Sequence, residues 1–243
     1  MKIFGLIGFP LGHSFSKSIF DKKIAESGLN AKFQNFELPD INLFPSLLSN
    51  NIGLAGIAVT IPYKKTVIPY LEELDLSASE TGAVNCIKFS KGKSIGYNTD
   101  AAGFKKSFDL IKSEKKRCLV LGTGGASNAV RYILKNENAD YLTVSRSNDK
   151  NFIPYSNINS QLLKNFPIVI NCTPLGMFPN IYSLPPLPYK YLTTENILFD
   201  LVYNPPVTAF MKEGILRGCI VKNGLEMLNF QADENWKIWT SAV

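Results

Sequence analysis

Apolar and polar positions fall into short blocks along the chain, and the period changes from block to block. Lys2–Ile7 is an apolar run of strand length. Ser16 stands where a helix cap belongs, Ile19, Phe20 and Ile24 follow on one face, and Gly28 stops the element. Phe33, Phe36 and Leu38 predict a second strand, and Ile41, Phe44, Leu47 and Leu48 return to helical spacing. Leu54–Val59 and Val84–Phe89 predict further strands, and Ala101–Ile111 a helix that ends in the charged stretch 112–117. A fresh series then begins. Cys118–Leu121 reads as a strand, Gly122–Gly125 as a glycine turn, and Ser127–Leu134 as a helix. Tyr141–Val144, Ile168–Ile170 and Ile197–Val202 are later strands, and Leu225–Trp239 is a closing helix whose two tryptophans are packing anchors.

Strands alternating with helices predict an α/β fold with parallel sheets covered on both faces. The restart at 118 divides the chain into two α/β units. Segments 147–166, rich in Asn and Ser, and 178–194, rich in Pro and Tyr, read as surface loops. No repeat of fixed period and no low-complexity tract interrupts the series.

Composition narrows the picture. Hydrophobic residues make up 45% and charged residues 19% of 243, enough for a real core. No apolar run has membrane-spanning length, and residues 1–8 are too short and glycine-broken for a signal peptide, so no membrane association is expected. Cysteines 86, 118, 172 and 219 form no C-x-x-C pair and read as buried thiols in a reducing compartment, which places the chain in the cytoplasm. With His13 as the single histidine, a multi-histidine metal site is excluded and no metal is expected. The net charge of +6 comes from scattered basic pairs. It suits small anions and matches no nucleic-acid recognition motif.

The glycine turn follows a strand and opens a helix, the context of a dinucleotide-binding loop. Its third glycine position holds Ser127. The next strand ends Ser145-Arg146-Ser147, with no carboxylate before Asp149. A guanidinium and hydroxyls at that place suit a 2′-phosphate, so NADP is favoured over NAD. In the first half, polar residues gather just past strand ends: Ser14 and Ser16, Thr60 and Lys64, Asn85, and Asn98-Thr99-Asp100. Such a set fits a small polyhydroxylated ligand, although each member also has a plain reading as a cap, a turn or a solvated charge. The Lys64-Lys65 pair reads either as the solvated start of a helix or as a place where one lysine is held for chemistry.

The chain resembles shikimate dehydrogenase from end to end. The matching stretches are GFPLGHSFSKS at 8–18, VTIPYKK at 59–65, GAVN at 82–85, GYNTDAAGF at 96–104, LGTGGAS at 121–127, INCTPLGM at 170–177, FDLVYNP at 199–205 and NGLEMLNFQA at 223–232. The resemblance implies an enzyme of two α/β domains with a cleft between them. Residues 1–100 with 225–243 would form the substrate domain and 101–224 a Rossmann-type NADP-binding domain. It implies reversible, NADPH-dependent reduction of 3-dehydroshikimate to shikimate on the way to chorismate and the aromatic amino acids, by a monomer or homodimer. The nearest alternative is a quinate/shikimate dehydrogenase using NAD or NADP. Carried over by position, Lys64 and Asp100 are the catalytic pair. Ser14, Ser16, Thr60, Asn85, Asp100, Tyr203 and Gln231 bind substrate. Gly122, Thr123, Gly124, Gly125 and Ala126 hold the cofactor's phosphates, Ser145, Arg146 and Ser147 its 2′-phosphate, and Leu201 and Gly224 line its nicotinamide. The chain departs from the family pattern at Lys17, where Pro is usual, at Ala58, where Asn is usual near the substrate edge, and at Ser145 and Ser147, where Asn and Thr are usual.

Overall fold

The computed structural model describes residues 1–12, 15–111, 116–147 and 149–241. His13 and Ser14 lie outside them. The chain divides into two compact units, Met1–Gly103 with Asn229–Val243, and Phe104–Leu228.

The first unit contains β1 (Lys2–Gly8), α1 (Phe15–Ser27), β2 (Ala31–Glu37), α2 (Phe44–Asn50), β3 (Leu54–Val59), β4 (Glu73–Leu74), α3 (Leu76–Thr81), β5 (Cys86–Ser90), β6 (Lys93–Tyr97) and the start of α4 (Thr99–Asp109). Its sheet runs β2-β1-β3-β5-β6-β4. The expected all-parallel pairing fails here, because β5 is antiparallel to both β3 and β6. The reason is local: only Lys91 and Gly92 join β5 to β6, and both have positive φ, the geometry of a two-residue hairpin turn. Ser16 is also not a cap. It lies within the first turn of α1, which begins at Phe15.

Side chains alternate across the sheet. Ile7, Ile57, Val59 and Ile87 pack with Phe44, Tyr63 and Val67 on one face. Phe4, Leu6, Ala58 and Cys86 pack with Phe20, Phe33 and Trp239 on the other. Ala58 therefore fills a core position, 6% exposed, where an apolar residue is at home. The Trp239 ring stacks on Phe4 at 5.2 Å, and its indole N–H donates to the Ile87 carbonyl at 2.9 Å.

The second unit continues with β7 (Arg117–Leu121), α5 (Gly125–Asn136), β8 (Asp140–Ser145), β9 (Ile153–Pro154), α6 (Ser160–Asn165), β10 (Ile168–Asn171), β11 (Ile197–Asp200), α7 (Ala209–Ile215) and β12 (Ile220–Lys222). The chain then enters α8 (Leu225–Thr240), which ends in the first unit. Every strand pair here is parallel, in the order β9-β8-β7-β10-β11-β12. That is the strand order of dinucleotide-binding folds. Segment 147–166 is not wholly a loop: it holds β9 and α6, whose Asn159 cap accepts from the Leu162 N–H at 2.9 Å and whose Leu163 is buried. Leu119, Leu121, Val169, Leu198 and Phe210 share one cluster, and Phe104 stacks on Phe108 and Phe199. Among the described residues, no helix is long and apolar enough to cross a membrane.

One glycine ties the first sheet to α8. A Cβ on Gly56 would overlap the buried indole of Trp239. Gly56→Ala is expected to lower stability by roughly 1–3 kcal/mol, the usual range for overpacking, in urea unfolding followed by tryptophan fluorescence. A change below about 0.5 kcal/mol, the size of a surface substitution, would show that the indole does not seat there.

Candidate active site

Lys64 follows β3 through the turn Thr60-Ile61-Pro62, and its carbonyl accepts from the Val84 N–H at 2.7 Å. Asp100 stands in the first turn of α4, where a carboxylate also meets the favourable end of the helix dipole. Asn98 sets that start, its Oδ1 accepting from the Ala101 N–H at 3.2 Å. Asn85 enters at the head of β5, and Gln231 projects from α8. The structure joins these four. Lys64 Nζ donates to Asp100 Oδ2 at 2.6 Å, with side-chain exposures of 19% and 8%. Asn85 Nδ2 donates to Asp100 Oδ1 at 2.8 Å and to Gln231 Oε1 at 3.3 Å.

Each Asp100 oxygen therefore accepts from a side chain drawn from a different element. Lys64 spends one of its three N–H donors on the carboxylate, so the ammonium keeps donors for a ligand oxygen. Lys65, next in sequence, is exposed. Thr60 lies half-buried just past β3, its N–H donating to Ile7 O at 2.9 Å. Ser16 lies half-buried in α1, and Ser14 falls outside the described residues.

Two further residues complete this network: Thr99, a member of the polar set past the strand ends that carried no assigned role, and Asn235, which the sequence pattern did not single out. Thr99 donates its N–H to Asn85 Oδ1 at 2.6 Å and its hydroxyl to Asn235 Oδ1 at 2.5 Å. Asn235 is fully buried and donates to Gln231 Oε1 at 3.4 Å. Its spacing of four from Gln231 was the available signal, since that puts both amides on one helix face.

In the second unit, Gly122 has φ +103°, a conformation suited to glycine. A Cβ on Gly124 would meet open space. Thr123, Gly125 and Ala126 are half-buried. No side chain caps α5, which leaves its first N–H groups for an anion. Ser127, at the third glycine position, donates from its hydroxyl to Gly122 O at 2.6 Å and closes the turn. The loop therefore fits a pyrophosphate. Ser145 is buried, and its Oγ accepts from the Ser147 N–H at 3.1 Å. Arg146 is exposed between them. Its charge opposes the burial that pushes the Tyr155 phenol up to about 12. Leu201 and Gly224 meet closely: a Cβ on Gly224 would overlap the Leu201 carbonyl. Tyr203 is half-buried, and desolvation raises its phenol.

Sequence reading missed a buried acid at the end of β11. Asp200 is fully buried and accepts from Asn171 Nδ2 at 2.9 Å, the Val202 N–H at 3.0 Å and Thr208 Oγ1 at 2.5 Å. Burial raises its carboxyl to about 6 against those three bonds. Its signal was a lone acid ending an apolar strand.

A family model described as the shikimate dehydrogenase substrate binding domain matches residues 6–87. A shikimate dehydrogenase (NADP(+)) from Methanococcus aeolicus is 37% identical, over 98% of this chain and 92% of its own length. The chain belongs to the shikimate dehydrogenase family. Among solved structures of this family, the shikimate 5-dehydrogenase of Thermus thermophilus in complex with NADP(H) and shikimate matches with a TM-score of 0.88 at 26% identity, covering all of this chain and 95% of that one. A ligand-free 5-ketofructose reductase of Gluconobacter sp. strain CHM43 also matches, with a TM-score of 0.84 at 29% identity, covering all of this chain and 94% of that one.

Asp200 makes a pH prediction. Its pKa is about 6 folded against 3.8 as an ordinary carboxyl. Between those values the folded state holds more protons than the unfolded one, so this group's contribution is full below about pH 4 and is lost as pH rises through 6. Asp200→Asn removes the buried charge and keeps an acceptor. Its stability relative to the parent is expected to improve between pH 4.5 and 7 by up to roughly 3 kcal/mol in urea unfolding. A difference that does not change with pH would mean that Asp200 stays ionised throughout.

Proposed function

We propose that the chain catalyses the reversible NADPH-dependent reduction of 3-dehydroshikimate to shikimate in aromatic amino acid biosynthesis, in the cytoplasm. The observation that carries this reading is the largely buried Lys64–Asp100 pair, with side-chain exposures of 19% and 8%, tied through Asn85 to Gln231 in a family of such enzymes. In this reading residues 1–100 with 225–243 hold the substrate and 101–224 the nucleotide.

When bound, NADPH supplies the hydride. The remaining work falls to the chain's own residues. Reduction builds negative charge on the C3 oxygen. The Lys64 ammonium, still carrying free N–H donors, stabilises that charge and delivers the proton; in oxidation it accepts one. Asp100 holds Lys64 in place through their 2.6 Å bond, so the two act as one unit. Asn85 orients Asp100. Ser14, Ser16, Thr60, Gln231 and Tyr203 hold the ring substituents of the substrate. The turn Gly122–Ala126 and the α5 N-terminus hold the pyrophosphate, Ser145, Arg146 and Ser147 the 2′-phosphate, and Leu201 and Gly224 the nicotinamide.

Nicotinamide absorbance, followed with shikimate or quinate and NADP⁺ or NAD⁺, tests the reading. Turnover is expected with shikimate and NADP⁺. Comparable turnover with quinate and NAD⁺ would move the assignment to a broader quinate/shikimate dehydrogenase. Silence in all four arms, with activity on 5-ketofructose and NADPH, would move it to the chemistry of the Gluconobacter neighbour.

Lys64→Ala is expected to lower kcat roughly 100-fold or more, the scale of general acid–base catalysis, whereas Lys65→Ala stays within about twofold. Equal losses in the two variants would remove Lys64 from the chemistry. Arg146→Ala is expected to raise KM for NADP⁺ by about tenfold or more, the worth of a charged hydrogen bond, and to leave KM for NAD⁺ nearly unchanged. A matching rise for both cofactors would show that Arg146 does not read the 2′-phosphate.

A further inference from the structure

We propose that Asn235 is a positioning residue that fixes the direction of the Gln231 amide, so that the substrate group facing Gln231 meets an N–H donor and must be an acceptor. The contact with substrate rests on the function proposed above; the direction of the amide does not.

The direction follows from two groups that have no choice. The Thr99 backbone N–H can only donate, so the Asn85 atom 2.6 Å away must be its oxygen. The other end of the Asn85 amide is then N–H₂, and it faces the Asp100 carboxylate at 2.8 Å, an acceptor. The same N–H₂ lies 3.3 Å from Gln231, so the Gln231 atom there must accept and is Oε1. Asn235 reaches this Oε1 from the other side at 3.4 Å. Its own oxygen takes the single Thr99 hydroxyl proton at 2.5 Å, in preference to Asn85 Oδ1 at 3.1 Å, which the Thr99 N–H already serves. Both arms of the ring therefore start at Thr99, the common donor, and converge on Gln231 Oε1, the common acceptor. Turning the Gln231 amide over would set three N–H₂ groups against one another.

With Oε1 held from two sides, Nε2 is turned away from the ring. No group among the described residues accepts from it. Asn235 has no freedom to reorganise, being fully buried and one helical turn from Gln231. Lys64 also presents N–H donors, so both groups select for oxygen lone pairs: a carbonyl, an alkoxide-like oxygen, or a hydroxyl acting as acceptor. A ligand group able only to donate would find no partner there.

Asn235→Asp removes the donor of one arm of the ring. A carboxylate still accepts from Thr99 but cannot donate to Gln231, so the Gln231 amide turns inward to supply the missing proton. Two readouts on the full-length protein test this. Side-chain amide exchange by NMR needs no ligand. In the parent, Gln231 Nε2 protons are expected to exchange about tenfold faster than the Nδ2 protons of Asn85 and Asn235, since they lack a partner. In Asn235→Asp they slow about tenfold. Protected Gln231 protons in the parent, or no change in the variant, would overturn the proposal. In the shikimate assay, Asn235→Asp is expected to raise KM about tenfold with a smaller loss in kcat, and to add nothing in a Gln231→Ala background. Additive losses would reduce Asn235 to a packing role. Should the aspartate variant not fold, Asn235→Ala carries the same double-mutant comparison with a smaller expected rise, about threefold. A parent without turnover on shikimate would sink the proposed function alone; amide exchange would still decide the role of Asn235.

Discussion

A carboxylate that is nearly removed from water must find donors, and the first unit is arranged around that demand. Asp100 is 6% exposed and accepts one hydrogen bond from Lys64 and one from Asn85. Lys64 comes from the turn after β3, Asn85 from the head of β5, and Asp100 itself from the head of α4. An unpaired buried carboxylate would be far more costly than any single contact among these elements. The same bonds that stabilise the acid therefore hold three pieces of backbone to one geometry.

The second unit answers a different demand. Its sheet is parallel throughout, so each strand must be reached by a crossover, and the strand ends open on turns. Gly224 sits at such an end and lets its backbone approach the Leu201 carbonyl, and Gly122 supplies a positive φ at another. Asp200 lies beneath this edge and fastens Val202, Asn171 and Thr208 together. The backbone at this edge is thus shaped by glycine on one side and fastened by a buried acid on the other.

The period of apolar residues made most of the strands legible, and the order of motifs made Lys64, Asp100, Asn85 and Gln231 legible as a group. What stayed hidden has physical reasons. The antiparallel hairpin depends on two positive φ values at Lys91 and Gly92, and a lysine gives little notice of one. Strand β9 and helix α6 are too short for periodicity to register. Ala58 looked like a lost polar group at the substrate edge, but strand alternation turns it into the core beside Trp239. Asn235 shows in sequence nothing but its spacing of four from Gln231; its burial and its bonds to Thr99 and Gln231 show that the helix carries part of a hydrogen-bond ring on its inner side.

The path of the chain has a consequence for synthesis. Trp239 and Gln231 complete the unit that begins at Met1, whereas Phe104–Leu228 is one continuous stretch. A ribosome therefore delivers the whole of the second unit while the first still lacks α8. Until the last turns emerge, Phe4 and Phe20 wait without the indole that covers them, and the Asn85 amide waits without Gln231. The half of the protein that starts first is the half that finishes last. Premature termination anywhere before α8 would release a chain with an uncovered aromatic face, the kind of surface that chaperones and proteases act on.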